Sequence, residues 1–218
     1  IGITLDSINY PHFKDQNGDI ELLIIDAGSK DNTQKIAKDK GAIIIDELRR
    51  GYGRAYTTGM SKATGDIIVT GDADATNPFD KIHEYIQKLF DENLDFITTD
   101  RFASLRQGSM SVKHYFGNWM LAVTLRILFL LRLRDSQSGM WIFRKDALDK
   151  IQPLEAFNDG MPFSEEIKIE MFSAKDVRSK DIASTLYVRA GDVKLDSFRD
   201  GWKYLKFLFK KRVNFFPH

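Results

Sequence analysis

The sequence predicts an α/β domain: a mostly parallel central sheet flanked by helices. Three observations predict it. Short apolar runs alternate with helix-like stretches from residue 21 to about residue 100. Two of those runs end in clusters of carboxylates. The chain has 218 residues, 43% of them hydrophobic, which suits one domain with a sizeable core. Strands that alternate with helices form parallel sheets through right-handed crossovers. Such sheets bind ligands at the carboxyl ends of their strands, so the two acidic loops are expected to line one crevice.

In order along the chain, residues 1–8 read as the body of a helix that starts upstream, which predicts a preceding segment. Residues 21–25 form an apolar run ending in Asp26 and read as a buried strand. A loop, 26–33, leads into a helix through about residue 40, and a second strand covers 42–45. Residues 51–63 begin with a glycine-rich turn and continue as helix. A third strand, 66–70, stops at Gly71-Asp72-Ala73-Asp74. Pro78 then opens another helix, and 96–99 is a fourth strand. The second half is less regular. It predicts a long apolar helix over 114–134, a short strand at 141–143 and a helix over 162–173. A strand at 184–189 and a basic amphipathic helix over 197–211 complete it.

Composition excludes several classes. Net charge is +1, which gives no support to nucleic-acid binding. There are no cysteines, hence no disulfide scaffold and no thiolate metal site. Four scattered histidines do not make a zinc site. The longest apolar run, 119–131, is interrupted by Arg126 and is too short to span a bilayer.

The chemistry sits in the loops. Asp72 and Asp74 are one residue apart just after a strand, so both carboxylates can approach one hard cation such as Mg2+ or Mn2+. The plain alternative is a pair of solvated turn carboxylates. In the 26–33 loop, Ser29 or Asp31 can cap the following helix, while Asp26 is placed to accept hydrogen bonds from a base or ribose. Gly51-Tyr52-Gly53-Arg54 offers a close-approach backbone and a cation for a nucleotide, or simply a turn.

Together these segments are identified as resembling family 2 glycosyltransferases. Asp26-Ala27-Gly28-Ser29-Lys30-Asp31-Asn32-Thr33 resembles the D-x-G-S-x-D-x-T block, and Asp72-Ala73-Asp74 the metal motif. Asp135-Ser136-Gln137-Ser138-Gly139, followed by Phe143-Arg144, is similar to the D-x-x-S-G stretch with its trailing Arg. Tyr187-x-x-Arg189-x-Gly191-x-x-Lys194-Leu195 is similar to the ending of the polyprenyl-phosphate branch, which includes the dolichol-phosphate mannose synthases. The resemblance implies a GT-A fold over 1–196, with the family's first strand upstream of Ile1.

It also implies an inverting transfer of a hexose from a nucleotide-sugar donor, GDP-mannose or UDP-glucose, to a polyprenyl or dolichyl phosphate. By resemblance, Asp74, Arg101 and Asp135 are catalytic. Asp26, Ser29, Asp31, Gly53, Arg54 and Asp72 bind the nucleotide. Ser138, Arg144, Arg189 and Lys194 meet the acceptor phosphate. Mg2+ or Mn2+ lies on Asp72 and Asp74. A family 2 enzyme acting on a saccharide hydroxyl, with Glu165 or Glu166 as base, and a non-catalytic nucleotide-sugar-binding module are the competing expectations. Glu165 and Glu166 otherwise read as solvated helix carboxylates.

Residues 197–218 interleave Trp202, Tyr204, Phe207 and Phe209 with Lys203, Lys206, Lys210, Lys211 and Arg212. That pattern suits a membrane-proximal helix on an anionic surface, at the cytoplasmic face where nucleotide sugars are available. The sequence says nothing of oligomeric state.

Overall fold

Apolar β-branched runs and helical spacing set the elements, and the computed structural model describes residues 1–15, 18–190 and 197–215. Two short helices, α1 (Gly2–Asp6) and α2 (Tyr10–Asp15), open the chain. Strand β1 (Leu23–Asp26) is followed by α3 (Thr33–Asp39), β2 (Ile43–Asp46) and α4 (Tyr52–Lys62). Then come β3 (Ile67–Val69), α5 (Ile82–Asp91), β4 (Phe96–Leu105) and α6 (Val112–Phe129). Strand β5 (Trp141–Arg144), α7 (Phe163–Ser173), β6 (Ser179–Leu186) and α8 (Ser197–Asn214) complete the chain.

β1 and β2 pair in parallel, with Asp26 opposite Asp46. The other four strands form one sheet in the order β3-β5-β4-β6. β4 is parallel to β6, and β5 is antiparallel to both β3 and β4. So β3, β4 and β6 run one way and their carboxyl ends share one edge. β5 runs against them because it begins in the loop 135–140, at that same edge, and heads back. Pairing of β4 with β6 is irregular between Asp100 and Ser104, a distortion of the kind that re-aims side chains. Arg101 lies in it.

The sheet alternates its side chains between two layers, as the strand period requires. Phe96, Trp141 and Phe143 pack with Phe163, Ile167 and Met171 of α7 on one face. Ile97, Ile142 and Ile182 pack with Ile82, Tyr85 and Leu89 of α5 on the other. A third cluster joins Leu125 and Phe129 of α6, Ile169 of α7 and Leu208 of α8.

Three expectations need correction. The strand expected at 184–189 starts at Ser179, because its polar first residues are recruited by pairing with β4, and it ends at Leu186. Beyond it, Tyr187 N donates to Thr76 O at 3.0 Å and Ala190 N to Asp74 O at 2.9 Å, so this segment lies along the acidic loop. The acidic residues of α7 are not solvated: Glu165, Glu166 and Glu170 are all buried. Lastly, α8 is not a free basic helix. Tyr204 and Leu208 are buried, and Lys211 turns inward to Glu166 at 3.0 Å and Glu170 at 2.7 Å.

Candidate active site

The carboxyl edge of the sheet carries the acidic loop of β3. The Tyr56 hydroxyl, on α4, lies 3.2 Å from Asp72 Oδ1 and 3.3 Å from the Gly139 carbonyl, so its proton serves either acceptor. Burial, and then the neighbouring Asp74 charge, raise the Asp72 carboxyl above the usual carboxylate range. Asp74 Oδ1 accepts from Thr76 N at 3.0 Å and from Thr76 Oγ1 at 2.6 Å. Its Oδ2 pairs with Arg189 Nη1 at 2.5 Å.

Facing this loop is a buried ion pair. Arg101 donates through Nε to Asp135 Oδ2 at 2.6 Å and through Nη2 to Oδ1 at 2.9 Å, a two-pronged contact. Asp135 is fully buried, and burial alone would raise its pKa, but the Arg101 charge and hydrogen bonds hold it below the carboxylate range. Arg101 is partly exposed, and its charge and that of Arg189 both bear on Asp72. Gly139 sits where a Cβ would lie 2.7 Å from Tyr52 Oη and 3.3 Å from Asp72 Oδ2, so only glycine lets this loop approach the carboxylate. The structure therefore brings Asp72, Asp74, Arg101, Asp135 and Arg189 to one place.

Other expected site residues are engaged elsewhere. Asp26 accepts from Gly28 N at 3.1 Å, Ser29 N at 2.9 Å and Gln34 Nε2 at 2.9 Å, and also from the Ser29 hydroxyl. Burial works to raise its pKa, but these bonds bring it below the usual range. The Asp26–Ser29 pair thus shapes its own loop, and Asp31 Oδ1 accepts from Thr33 N at 3.0 Å just ahead of α3, whose N-cap, Asn32, makes no side-chain cap bond. The two acidic loops flank α4, whose Gly59 packs on Ile25 while Tyr56 reaches Asp72.

Four further expected site residues are held by other contacts. Gly53 does not open its backbone to a nucleotide: a Cβ there would meet Asn158 O at 2.0 Å, and its N–H donates to Gly160 O at 3.2 Å. Arg54 is drawn into the same contact, its guanidinium on Asp159 at 2.5 Å. Ser138 is fully buried, its hydroxyl 2.6 Å from Thr99 Oγ1, and does not face a phosphate. Arg144 lies at the far end of the antiparallel β5, opposite Ile67 at the start of β3. There it donates to Leu94 O and covers the Phe90 ring, on the edge away from Asp72. Lys194 lies outside the described residues.

The sequence missed Tyr56 and Lys168. Tyr52 and Tyr56 one helical turn apart, ahead of an Asp-x-Asp loop, was the available signal. Lys168 had none, since a lysine among helix carboxylates reads as surface. Among the described residues no group of three or more His, Asp or Glu side chains gathers into a metal cage.

Comparison with known proteins gives concordant findings. A family model described as glycosyl transferase family 2 matches residues 5–152. The chain is 32% identical over 190 residues to the low-salt glycan biosynthesis hexosyltransferase Agl6 of Haloferax volcanii, covering 86% of this chain and 45% of that protein. It is 28% identical over 188 residues to a dolichyl-phosphate hexose transferase of the same organism, covering 85% and 78%. It is 32% identical over 149 residues to the UDP-N-acetylglucosamine–dolichyl-phosphate N-acetylglucosaminyltransferase of Methanococcus voltae, covering 58% and 59%. So the chain spans about half the length of the first of these relatives. In fold it resembles glucosyl-3-phosphoglycerate synthase of Mycobacterium tuberculosis in complex with Mn2+, UDP and glucosyl-3-phosphoglycerate. The TM-score is 0.73 at 21% identity, over 98% of this chain and 75% of that one. The architecture is that of the GT-A glycosyltransferases.

Proposed function

Because this chain belongs to glycosyl transferase family 2, we propose that it transfers a hexose from a nucleotide-sugar to a polyprenyl monophosphate at an anionic membrane surface. The observation that carries this reading is the opposition of the Asp72/Asp74 loop and the Arg101–Asp135 pair at one sheet edge. One half suits a donor's diphosphate with a divalent ion; the other presents a fixed cation to an anionic acceptor.

The residues fit a divalent ion. Two oxygen donors one residue apart suit Mg2+ or Mn2+, and burial first, then the Asp74 charge, raise the pKa of Asp72, a cost to its charged form that a cation would offset. Asp72 and Asp74 would hold the ion, with Asp74 now paired to Arg189. Held there, the ion would neutralise charge on the departing nucleoside diphosphate. For the rest, a phosphate oxygen attacks the anomeric carbon while the bond to the diphosphate breaks, inverting the configuration. An ionised phosphate needs no base. Arg101, oriented by Asp135, orients that phosphate, and Arg189 is placed to join it once released from Asp74.

Transfer to a saccharide hydroxyl would need a base. Glu165 is fully buried, and Glu166 accepts from Asn158 N at 2.7 Å and pairs with Lys211, so neither is open to an acceptor. That favours the phosphate acceptor.

The membrane reading rests on charge. Residues 102–134 carry Arg106, Lys113, Arg126, Arg132 and Arg134 and no acid, and residues 201–215 are likewise acid-free. These segments pair as α6 and α8 and expose Phe116, Trp119, Ile127, Trp202 and Phe209. Aromatic rings beside cations suit a headgroup layer. Among the described residues no helix is long and apolar enough to cross a membrane.

Calorimetry with UDP, GDP and their sugar conjugates tests the donor half. Binding of one nucleotide is expected only with Mg2+ or Mn2+, and at least about 10-fold weaker binding in Asp72→Asn and Asp74→Asn. Equal binding by all three proteins would overturn the metal assignment.

A further inference from the structure

The loop 135–139 connects the two halves of the proposed centre, and one buried cation holds it. Lys168, in the middle of α7, is fully buried. Its Nζ donates to Ser136 O at 2.7 Å, Ser138 O at 2.6 Å and Ser164 Oγ at 3.1 Å. An ammonium has three protons, so every donor is used. At one end of the loop, Asp135 grips Arg101; at the other, the Gly139 carbonyl accepts from Thr70 Oγ1 at 3.0 Å and meets Tyr56, which also reaches Asp72. Trp141 Nε1 and Ser164 Oγ add bonds to Ser138 O at 2.9 and 3.3 Å, but among the described residues only Lys168 spans both carbonyls.

We infer that Lys168 is a positioning residue: by clamping the Ser136 and Ser138 carbonyls it fixes the distance between Arg101 and Asp72, and so between acceptor phosphate and donor. This rests on the proposed transfer reaction. Lys168 touches neither substrate in this account; it acts through the loop. The charge is not incidental. Arg101 of β4, Asp135 of the loop, Glu165 of α7 and Asp181 of β6 all bear on it. Burial lowers the ammonium to about 7, while the Asp135 carboxylate works to keep it charged. The charged clamp is therefore present below about pH 7 and lost above it.

The test measures wild type and Lys168→Met side by side, with nucleotide-sugar, Mn2+ and a short polyprenyl phosphate, from pH 5.5 to 9. Lys168→Met is expected to keep a cooperative thermal transition and, at pH 6.5, its calorimetric affinity for the nucleotide. Its kcat should fall at least about 10-fold at pH 6.5, as misplaced reacting groups do. The wild-type kcat should decline as pH rises through about 7 with a limb that the variant lacks. A variant with unchanged kcat, or one with lower kcat and an unaltered pH profile, overturns the inference. If Lys168→Met does not fold, Lys168→Gln, which keeps two donors, takes its place. If neither folds, the role is structural and the inference fails. A wild type that binds nucleotide but transfers nothing to polyprenyl phosphate overturns the functional reading, and the inference with it.

Discussion

Asp135 and Lys168 have opposite charges and similar burial, yet only one of them was legible in the sequence. Asp135 stands in a recognisable string ahead of Ser138-Gly139, whereas Lys168 lies in Glu165-Glu166-Ile167-Lys168-Ile169-Glu170, which reads as a solvated face. Tertiary packing decides otherwise, because α7 runs beneath both the sheet and the 135–139 loop. Replacing Asp135 by Asn leaves the Arg101 cation without its counter-charge. Such a break costs about 3–5 kcal/mol in a buried pair, so Asp135→Asn should lower the thermal midpoint and the transfer rate together, measured by melting and by assay. Lys168 and Glu165 also give stability a pH signature. Burial lowers Lys168 to about 7, so between about 7 and its unfolded value the unfolded chain binds the extra proton, and stability rises with pH. Burial raises Glu165 well above its ordinary value, so the folded chain binds the extra proton as pH climbs past about 4, and stability falls. Denaturant titrations of wild type and Lys168→Met should therefore differ in slope above pH 7, with the rise lost in the variant.

At the scale of elements, the early strands and helices were readable because each is a short apolar run closed by a turn residue. The direction of β5 was not, since a four-residue run looks alike in either sense. That one reversal carries Arg144 to the wrong edge for a phosphate. The glycines opening α4 left two readings open for a related reason. Gly-x-Gly before a helix marks close backbone approach, but not what approaches. Here Gly160 O and Asp159 O take the N–H groups of Gly53 and Arg54, so the free helix terminus is already satisfied. Gly53→Ala would place a methyl group 2.0 Å from Asn158 O and 2.7 Å from Phe163 Cβ. Both belong to backbone or core, so the variant should lose about 1–3 kcal/mol in urea unfolding.

Across the whole molecule, near-neutral net charge conceals segregation. The cations of α6 and α8 lie in acid-free stretches, and those helices share a core on one flank while exposing aromatic side chains on the other. Sequence pattern placed the basic helix correctly but gave Lys211 and Tyr204 to the lipid, when both face the protein. The protein is expected to sediment with phosphatidylglycerol vesicles and much less with phosphatidylcholine vesicles. The combined change Trp119→Ser, Lys206→Glu and Lys210→Glu should reduce that binding, each cation contributing about 1 kcal/mol. Equal sedimentation with both vesicle types would remove the surface from the account.

In the proposed reaction a donor half built on Asp72 and Asp74 and an acceptor half built on Arg101 and Asp135 act as one centre. The direct measurement is transfer of labelled hexose from GDP-mannose or UDP-glucose, with Mn2+, to a short polyprenyl phosphate, with a free saccharide as the competing acceptor. A labelled polyprenyl-phosphate hexose is expected from one donor, of inverted configuration, with at least about a 100-fold loss in Asp72→Asn and in Arg101→Ala. Label appearing on the saccharide instead, or transfer undiminished in either variant, would contradict it.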